Sequence, residues 1–377
     1  MLDRRMKLSQ PNQRVRRTSG YLPELDVVRL IAFFAVFLHH LPGHASLYAT
    51  TARAYGWAGV DLFFVLSSYL FFSMLDREYA LTGSINVRNF FIRRVMRIYP
   101  LMIAFPIMML VIYGAGNWTA ALSRLAGIAL MLDDIITWFA GYNGQIRYSA
   151  HLWTLSYEFQ VYLSIPLLFI LWKRLGDNAF IAVLSCFLLY AVASRTTVYL
   201  VGAKHPSIWV TPFLRPDSVL FGLALAVVKP RWDWRLSLGV ALVGLYIFVS
   251  IGRPWDGLFP NIFSYLVLAV VAASIVDISL RSPFARLVAM PQLAWLVFLG
   301  RISFGLYVFH ILAISLTEQW LPVLWRPLNV KFVTGDYMMF LVVAFGLTIA
   351  LSVVSYYAME RRVDRWKRRF EIVHGRP

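Results

Sequence analysis

Cysteine is almost absent from this chain: Cys186 is the only one in 377 residues, and it lies in an apolar run. A single cysteine excludes an intramolecular disulfide framework and a metal site built from several thiolates. The seven histidines are scattered without the spacing of a metal site, so no metal is predicted. The chain also has no glycine-rich phosphate loop and no nucleophile elbow, which argues against P-loop and α/β-hydrolase chemistry.

Charged residues are scarce as well, at 15% of the chain, whereas hydrophobic residues make up 59% and the mean hydropathy is +0.65. A soluble domain has roughly 45–50% apolar residues, so this composition indicates a polytopic membrane protein. The net charge of +17 alone would suggest a nucleic-acid partner. The basic residues, however, lie in short runs between apolar segments, which is typical of membrane topology and makes nucleic acid an unexpected partner.

Ten apolar runs are long enough to cross a bilayer. They cover 25–43, 57–76, 99–114, 153–172, 179–194, 207–228, 236–252, 259–279, 295–318 and 337–359. An even number puts both ends on one side, and the loops there carry 25 of the 36 lysines and arginines, against eight on the other side. This excess predicts cytoplasmic termini. The expected fold is an all-α transmembrane bundle of about ten spans (25–359) between basic cytoplasmic tails, 1–24 and 360–377. Residues 119–132 are predicted to be an extra or a re-entrant segment.

The first apolar run contains several ionisable side chains. Asp26 and Arg29 are three residues apart, which predicts an ion pair that lowers the cost of burying the arginine. Arg29 and His40 are eleven residues apart, so on a helix they return to nearly the same face with a rise of ~16 Å. A histidine in this position can act as a general base. The alternative is that His39 and His40 only cap the span at the outer interface.

A cluster of arginines precedes the third apolar run, in RNFFIRRVMRIYP at 88–100. Arg93 and Arg97 share a helical face, with Arg94 next to the first of them. Guanidinium groups bind phosphates through charge-assisted hydrogen bonds, so the cluster is a candidate site for a phosphate-bearing cofactor. The alternative is an anchor that only sets the topology.

The segment HLWTLSYEFQVYL leads into the fourth apolar run. Its His151 and Glu158 are seven residues apart and therefore lie on one helical face, with Tyr162 one turn beyond. An acid inside a span is costly and is by default a functional candidate.

Two later segments also place polar groups within apolar runs. In TPFLRPDSVLFG a proline separates Arg215 from Asp217, and a helix broken at membrane depth normally lines a cavity. We expect these two residues to pair with each other or with the acid of the fourth run. In ISFGLYVFH, Ser303, Tyr307 and His310 share a helical face, which is explained equally well by helix packing.

Taken in chain order, these segments resemble the acyltransferase-3 family of integral membrane O-acyltransferases. The resemblance is carried by LDVVRLIAFFAVFLHH, GVDLFFVLSSYLFF, RRVMRIYP, HLWTLSYEFQVYL, RPDSVLFG, ISFGLYVFH and YYAMERR, over about residues 21–365. In two places the chain departs from the family pattern. Ser67-Ser68 replaces the usual Ser-Gly, so the resemblance does not imply close helix packing there, and Glu158-Phe159 replaces a pair of acids.

The resemblance implies roles for individual residues. In the family an arginine is followed by ten residues and then a histidine, and this spacing selects His40 over His39. The implied catalytic residues are His40, Arg29 and Glu158. Arg93, Arg94 and Arg97 correspond to the acyl-CoA region of the family. The residues expected to contact the acceptor substrate are Asp26, His151, Arg215, Asp217, Tyr307 and His310.

The resemblance further implies transfer of an acyl group, usually acetyl, from cytoplasmic acyl-CoA to a hydroxyl of a lipid-linked or surface polysaccharide. The expected location is the inner (cytoplasmic) membrane, with membrane lipids as surroundings. His40 would act as the general base or carry the acyl group transiently. A weaker enzyme alternative is transfer of succinyl or another acyl group. The competing class is a transporter or flippase for a lipid-linked saccharide, which would also have a broken helix and buried charges.

Overall fold

The structure is a computed structural model that describes residues 21–42, 51, 53–142, 145–203, 205–281, 283–325 and 336–370. The described residues form helices and turns and contain no strand, which confirms the predicted all-α class. Most of the two basic tails lies outside the described residues. The division of the chain into these tails and one transmembrane domain stays a prediction.

The longer helices follow one another with short connections. They are α1 (Pro23–His40), α2 (Gly59–Thr82), α3 (Val87–Tyr113), α4 (Trp118–Ala129), α5 (Asp133–Ala140), α6 (Trp153–Leu175), α7 (Asp177–Leu200), α8 (Asp217–Val228), α9 (Trp234–Ile251), α10 (Leu258–Arg281), α11 (Ala294–Arg301), α12 (Ser303–Trp325), α13 (Asp336–Ser355) and α14 (Arg361–Lys367). Short helical turns precede α2, α6 and α11, and a four-residue helix, Ser207–Val210, precedes α8. A π-helical turn, Tyr356–Glu360, joins α13 to α14.

Seven of the described helices are long and apolar enough to cross a membrane. An eighth span results if α11 and α12 are taken together, although the two are bent by 69° at their junction. Two predicted spans do not meet these requirements. Helix α1 has 18 residues but three ionisable groups in its first half, and α8 has only 12 residues. Each of the ten predicted runs nevertheless lies on a helix or a broken helix, and the count of ten stays a prediction.

The segment predicted to be extra or re-entrant forms a hairpin of α4 and α5. The 12 residues of α4 rise ~18 Å, which is less than the ~30 Å thickness of a hydrocarbon core. Backbone carbonyls at the tip are bonded by other helices: the Tyr99 hydroxyl donates to the Ala129 oxygen, and the Gln160 amide donates to the Met131 oxygen. Such satisfied carbonyls are what a non-spanning backbone requires at membrane depth, so the geometry favours the re-entrant interpretation.

Helix α1 is packed on several sides by α2, α11 and α12. Its Phe33 and Phe37 are fully buried, and the contact with α11 is so close that a Cβ atom at Gly300 would lie 1.8 Å from the Asp26 carbonyl oxygen. Only glycine allows this approach of two backbones. The result is that the ionisable groups of α1 face the interior of the bundle.

Helices α2 and α8 are also closely packed, at the position where Ser68 replaces the glycine usual in the family. A Cβ atom at Gly222 would lie 2.0 Å from the Ser68 Oγ atom and 2.6 Å from the Val65 carbonyl oxygen. The Ser68 hydroxyl bonds to the Phe64 and Val65 carbonyl oxygens of its own helix. Close packing is thus present here, because the partner helix supplies the glycine that α2 lacks.

Candidate active site

A partly open cavity with about 670 Å³ of space not filled by protein atoms lies between α1, α2, α3, α6 and α12. Its polar lining includes Arg29, Ser67, Arg97 and Glu158, and its apolar lining is mainly aromatic. A second cavity, of about 440 Å³, shares the Arg97 side chain with the first. The two cavities are therefore adjacent at Arg97.

Glu158 lies at the centre of a polar group inside the first cavity. Its Oε1 atom accepts a hydrogen bond of 2.6 Å from the Ser67 hydroxyl and another from the Tyr162 hydroxyl. Tyr162 is one turn away on α6, as the sequence predicted, whereas Ser67 comes from α2. The contact with Ser67 could not have been found from the sequence, because it depends on how α2 and α6 are rotated about their axes.

The predicted pair of Asp26 and Arg29 is confirmed. The Arg29 Nη1 atom lies 2.5 Å from the Asp26 Oδ1 atom, and both side chains are buried. The Tyr21 hydroxyl donates to the other oxygen of Asp26 at 2.8 Å. Arg29 lines the cavity, whereas Asp26 lies behind it and holds it in place.

The structure separates the three arginines of the third helix. Arg97 lines both cavities. Arg93 is buried, and its guanidinium contacts the Glu78 carboxylate at 3.6 Å and the Phe370 carbonyl oxygen. Arg94 is also buried, with its guanidinium carbon 3.6 Å from the centre of the Phe71 ring. Only Arg97 is therefore placed to meet a molecule in the cavities.

Three histidines that are far apart in the sequence meet beyond one end of the first cavity. The ring centres of His40 and His310 are 4.9 Å apart, and those of His151 and His310 are 5.0 Å apart. The His310 Nε2 atom lies 3.3 Å from the His40 Nδ1 atom. All three candidates are thus brought together by α1, α12 and the turn that precedes α6.

Tyr307 and Thr154 connect this histidine cluster to the cavity. Both side chains line the cavity, and their hydroxyl oxygens are 2.8 Å apart. The Tyr307 hydroxyl is also 3.2 Å from the His151 carbonyl oxygen. The predicted Tyr307 therefore lies at the boundary between the cavity and the histidines, together with Thr154, which sequence reasoning missed.

His39 differs from its neighbour in its contacts. Its Nδ1 atom lies 2.5 Å from the Arg53 carbonyl oxygen, in the segment before α2. His40 instead contacts His310 through its own Nδ1 atom. His39 is therefore engaged with the backbone of the neighbouring segment, and His40 alone of the two contacts the cluster.

The expected pairing of Arg215 with Asp217 or Glu158 was wrong. Arg215 pairs with Asp61 of α2 at 2.9 Å, and Asp217 pairs with Arg195 of α7 at 2.6 Å. All four side chains are buried. Residues on the two sides of the proline point to different helices, so the break is attached to α2 on one side and α7 on the other.

The break has further polar contacts that stabilise it. The Tyr157 hydroxyl donates to the Arg215 carbonyl oxygen at 2.6 Å, and the Ser218 hydroxyl donates to Asp61 at 2.7 Å. The Arg215 guanidinium carbon lies 3.6 Å from the centre of the Trp209 ring. Neither Arg215 nor Asp217 lines the cavity that contains Glu158. Their position indicates that they hold the helices around the site.

The signal that could have found Asp61 and Arg195 was available in the sequence. Asp61 lies within an apolar run, in GVDLFF, and Arg195 directly follows one, in AVASRTT; such ionisable residues normally pair inside a membrane protein. Among the described residues, no group of three or more histidine, cysteine, aspartate or glutamate side chains has the geometry to hold a metal ion. Within the histidine cluster, His310 contacts His40, and each of the three rings also contacts a backbone carbonyl oxygen.

A family model and several curated proteins match this chain. A family model described as an acyltransferase domain matches residues 22–357. A protein of Staphylococcus aureus (strain COL), provisionally named an O-acetyltransferase, is 27% identical over 376 residues, which cover 90% of this chain and 57% of that protein. The peptidoglycan O-acetyltransferase OatA of Listeria monocytogenes is 27% identical over 348 residues, covering 83% of this chain and 53% of the relative.

A third relative is the O-acetyltransferase OatA of Staphylococcus aureus (strain NCTC 8325), which is 26% identical over 321 residues. These cover 77% of this chain and 50% of that protein. The chain thus spans little more than half the length of the curated relatives it matches. No solved structure matches.

Proposed function

The chain belongs to the acyltransferase-3 family, and we propose that it is a multi-pass membrane O-acetyltransferase that uses acyl-CoA as donor and a saccharide hydroxyl as acceptor. The observation that carries this proposal is the cavity that extends from Arg97 to Tyr307 and Thr154, next to the histidine cluster. One end of the cavity has the Arg97 guanidinium, which can bind a phosphate, and the other end lies next to imidazoles that can accept a proton.

The lining of the cavity fits a thioester arm. Its apolar part includes Phe63, Phe71 and Leu155, which suit an extended aliphatic amide chain, and its polar part offers Ser67 and Arg29 for the amide and carbonyl groups. Arg97 lies where the two cavities meet and would bind a phosphate of the nucleotide end. The donor would thus extend from the second cavity through the first towards Tyr307.

His40 is the proposed general base. The acceptor hydroxyl oxygen attacks the thioester carbonyl carbon while His40 takes the hydroxyl proton. The carbon–sulfur bond then breaks, the ester forms, and the proton passes to the leaving thiolate. Arg29 and Glu158 would hold the donor side of this reaction, because both line the cavity. In the alternative route, His40 first takes the acyl group itself and then passes it to the hydroxyl.

We also propose ten spans with both termini in the cytoplasm. Support comes from the match between every predicted apolar run and a helix or broken helix, and from the excess of basic residues in one set of loops. In this topology Arg97 is on the cytoplasmic side and His40 is nearer the outside. The acceptor would be a lipid-linked or exported polysaccharide unit, such as the peptidoglycan in the name of the Listeria relative.

The test is the release of free CoA from acetyl-CoA by the purified protein in lipid nanodiscs, measured with and without a saccharide acceptor. We expect thiol release that depends on the acceptor, together with a 42-dalton increase in the acceptor mass. Acyl-histidine trapping after rapid mixing would separate the two routes. A protein that binds saccharide but never consumes thioester would contradict the proposal and favour the transporter class.

A further inference from the structure

The proton on the His40 ring is located by its two contacts at Nδ1. This atom lies 2.9 Å from the Val36 carbonyl oxygen and 3.3 Å from the His310 Nε2 atom. A carbonyl oxygen only accepts hydrogen bonds, so Nδ1 of His40 carries the proton and the lone pair of the neutral ring is on Nε2. The basic atom of His40 is therefore the one that points away from His310.

The His310 ring is held in the complementary tautomer. Its Nδ1 atom lies 2.5 Å from the Tyr307 carbonyl oxygen and so also carries a proton. The lone pair of His310 is then on Nε2, and this atom faces the Nδ1–H of His40. The His40 proton is consequently shared between two acceptors, the Val36 carbonyl oxygen and the His310 imidazole.

Both ring nitrogens of His310 are thus used inside the protein, and its side chain is completely buried. Neither nitrogen remains to bind a saccharide, which argues against the substrate-binding role expected from the sequence. Two further rings pack around it, with the centres of His151 and Tyr307 at 5.0 and 5.5 Å. The ring of His310 is therefore fixed in place and cannot readily rotate away from His40.

We propose that His310 is a positioning residue for His40, an inference that rests on the proposed function. Its Nε2 lone pair holds the Nδ1–H of His40 and keeps the His40 Nε2 atom available to the acceptor hydroxyl. When Nε2 takes the proton, the ring becomes cationic and its Nδ1–H becomes a stronger donor to His310. His310 thereby stabilises the imidazolium at the moment it forms.

A carboxylate performs this task in many hydrolases. Among the described residues no carboxylate is hydrogen-bonded to His40, whose two recorded partners are neutral. A neutral imidazole orients the base without adding another buried charge to a membrane bundle, where each unpaired charge is costly. The cost of a buried charge thus explains why a histidine, His310, and not an acid lies next to His40.

The test compares His310→Phe with His310→Gln. Phenylalanine keeps a ring of similar shape but has no lone pair, whereas the glutamine oxygen can accept a hydrogen bond near the position of Nε2. In the phenylalanine variant we expect kcat to fall by about 10–100-fold, as for other partners that orient a reactive histidine. The KM for acetyl-CoA and the thermal stability should change little, and the glutamine variant should keep most of the activity.

His39→Gln is the matched control. The ring centre of His39 is also 5.0 Å from that of His40, but the His39 Nδ1 atom bonds to a different segment.

A second readout does not depend on turnover. Solid-state NMR of protein labelled with ¹⁵N-histidine reports which ring nitrogen carries the proton, and the His40 signals are identified by their loss in His40→Ala. We expect a protonated Nδ1 in the wild type and a shifted Nδ1 signal in His310→Phe. An unchanged signal would overturn the inference, as would equal kcat values for the phenylalanine variant and the wild type, or a change in KM alone. If the wild type consumes no thioester, the proposed function fails, while the NMR result still decides whether His310 orients His40.

Discussion

At the scale of single residues, His39 and His40 are adjacent in the chain but have different partners. His40 contacts His310, whereas His39 contacts the Arg53 carbonyl oxygen. We expect His40→Ala to lower acetyl transfer by about 10²–10⁴-fold, the usual loss when a positioned base is removed. Expression and affinity for acetyl-CoA should remain nearly unchanged. His39→Ala should keep substantial activity, and equal losses in the two variants would mean that the base has been wrongly assigned.

A second prediction concerns the two arginines that share a face of α3. Arg97 lines the cavities, whereas Arg93 is buried against Glu78 and the Phe370 carbonyl oxygen. Arg97→Gln should raise the KM for acetyl-CoA roughly tenfold or more, because a hydrogen bond to a charged group contributes about 1.5–3 kcal/mol. Arg93→Gln should instead lower the thermal stability and leave the KM near its original value. The reverse outcome would place the donor phosphates on Arg93.

The sequence predicted that these arginines lie on one helix, but it could not predict their different contacts. Spacing on a helix shows that Arg93 and Arg97 share a face, and the structure agrees that they lie about one turn apart. What separates them is the carboxylate of Glu78 and the carbonyl oxygen of Phe370, which are brought to Arg93 by folding. The same applies to His40 and His310, whose contact spans 270 positions.

At the scale of elements, the broken helix before α8 is held by two buried ion pairs. Asp217→Asn leaves the Arg195 charge buried without its carboxylate, so we expect a loss of about 3–5 kcal/mol in the free energy of unfolding. Asp256→Asn is the control, because the Arg253–Asp256 pair is about 40% exposed and such pairs contribute about 0–1 kcal/mol. Unfolding in detergent by chemical denaturant measures both. Similar stabilities of the two variants would show that the buried pair does not hold the break.

The contact between α2 and α8 makes a separate prediction. In Gly222→Ala the new Cβ atom would collide with the Ser68 side chain and with the Val65 carbonyl oxygen, so the two helices must move apart. We expect a lower thermal stability, since overpacking typically costs about 1–3 kcal/mol. Gly239→Ala in α9 is the control, because nothing lies within 4 Å of its Cβ position. There the alanine should be neutral or stabilising, as in most exposed helix positions.

These elements show which parts of the fold could be predicted. Apolar runs identified the helices, because an apolar segment that crosses a membrane must satisfy its backbone hydrogen bonds within itself and therefore forms a helix. The signal lies within one stretch of sequence and needs no knowledge of the other helices. The partners of Arg215 and Asp217 were predicted wrongly because they depend on the rotation of α2 and α7, which local patterns do not contain. For α4 and the turn after it, the short length of the apolar segment could be seen in the sequence. The hydrogen bonds that it accepts from Tyr99 and Gln160 could not.

At the scale of the whole molecule, the unequal distribution of basic residues predicts the side on which each loop lies. Because Cys186 is the only cysteine, a Cys186→Ala background allows one new cysteine at a time to be labelled. Ser84→Cys, between α2 and α3, should react with a membrane-impermeant maleimide only after the inner face is exposed. Gly116→Cys, between α3 and α4, should react in intact cells. Labelling of both positions from one side would contradict the proposed topology.

The packing of α1 between α2 and α12 has a consequence for how the protein is made. The helix that carries His40 is synthesised first, yet its partner His310 follows 270 residues later. At about 5–20 residues per second, roughly 15–50 s separate the two events during translation. Throughout this time the ionisable groups near the start of α1 lack the helix that packs over them through Gly300. A nascent chain consequently has no assembled histidine pair, and α12 must be synthesised before the proposed acyl transfer can begin.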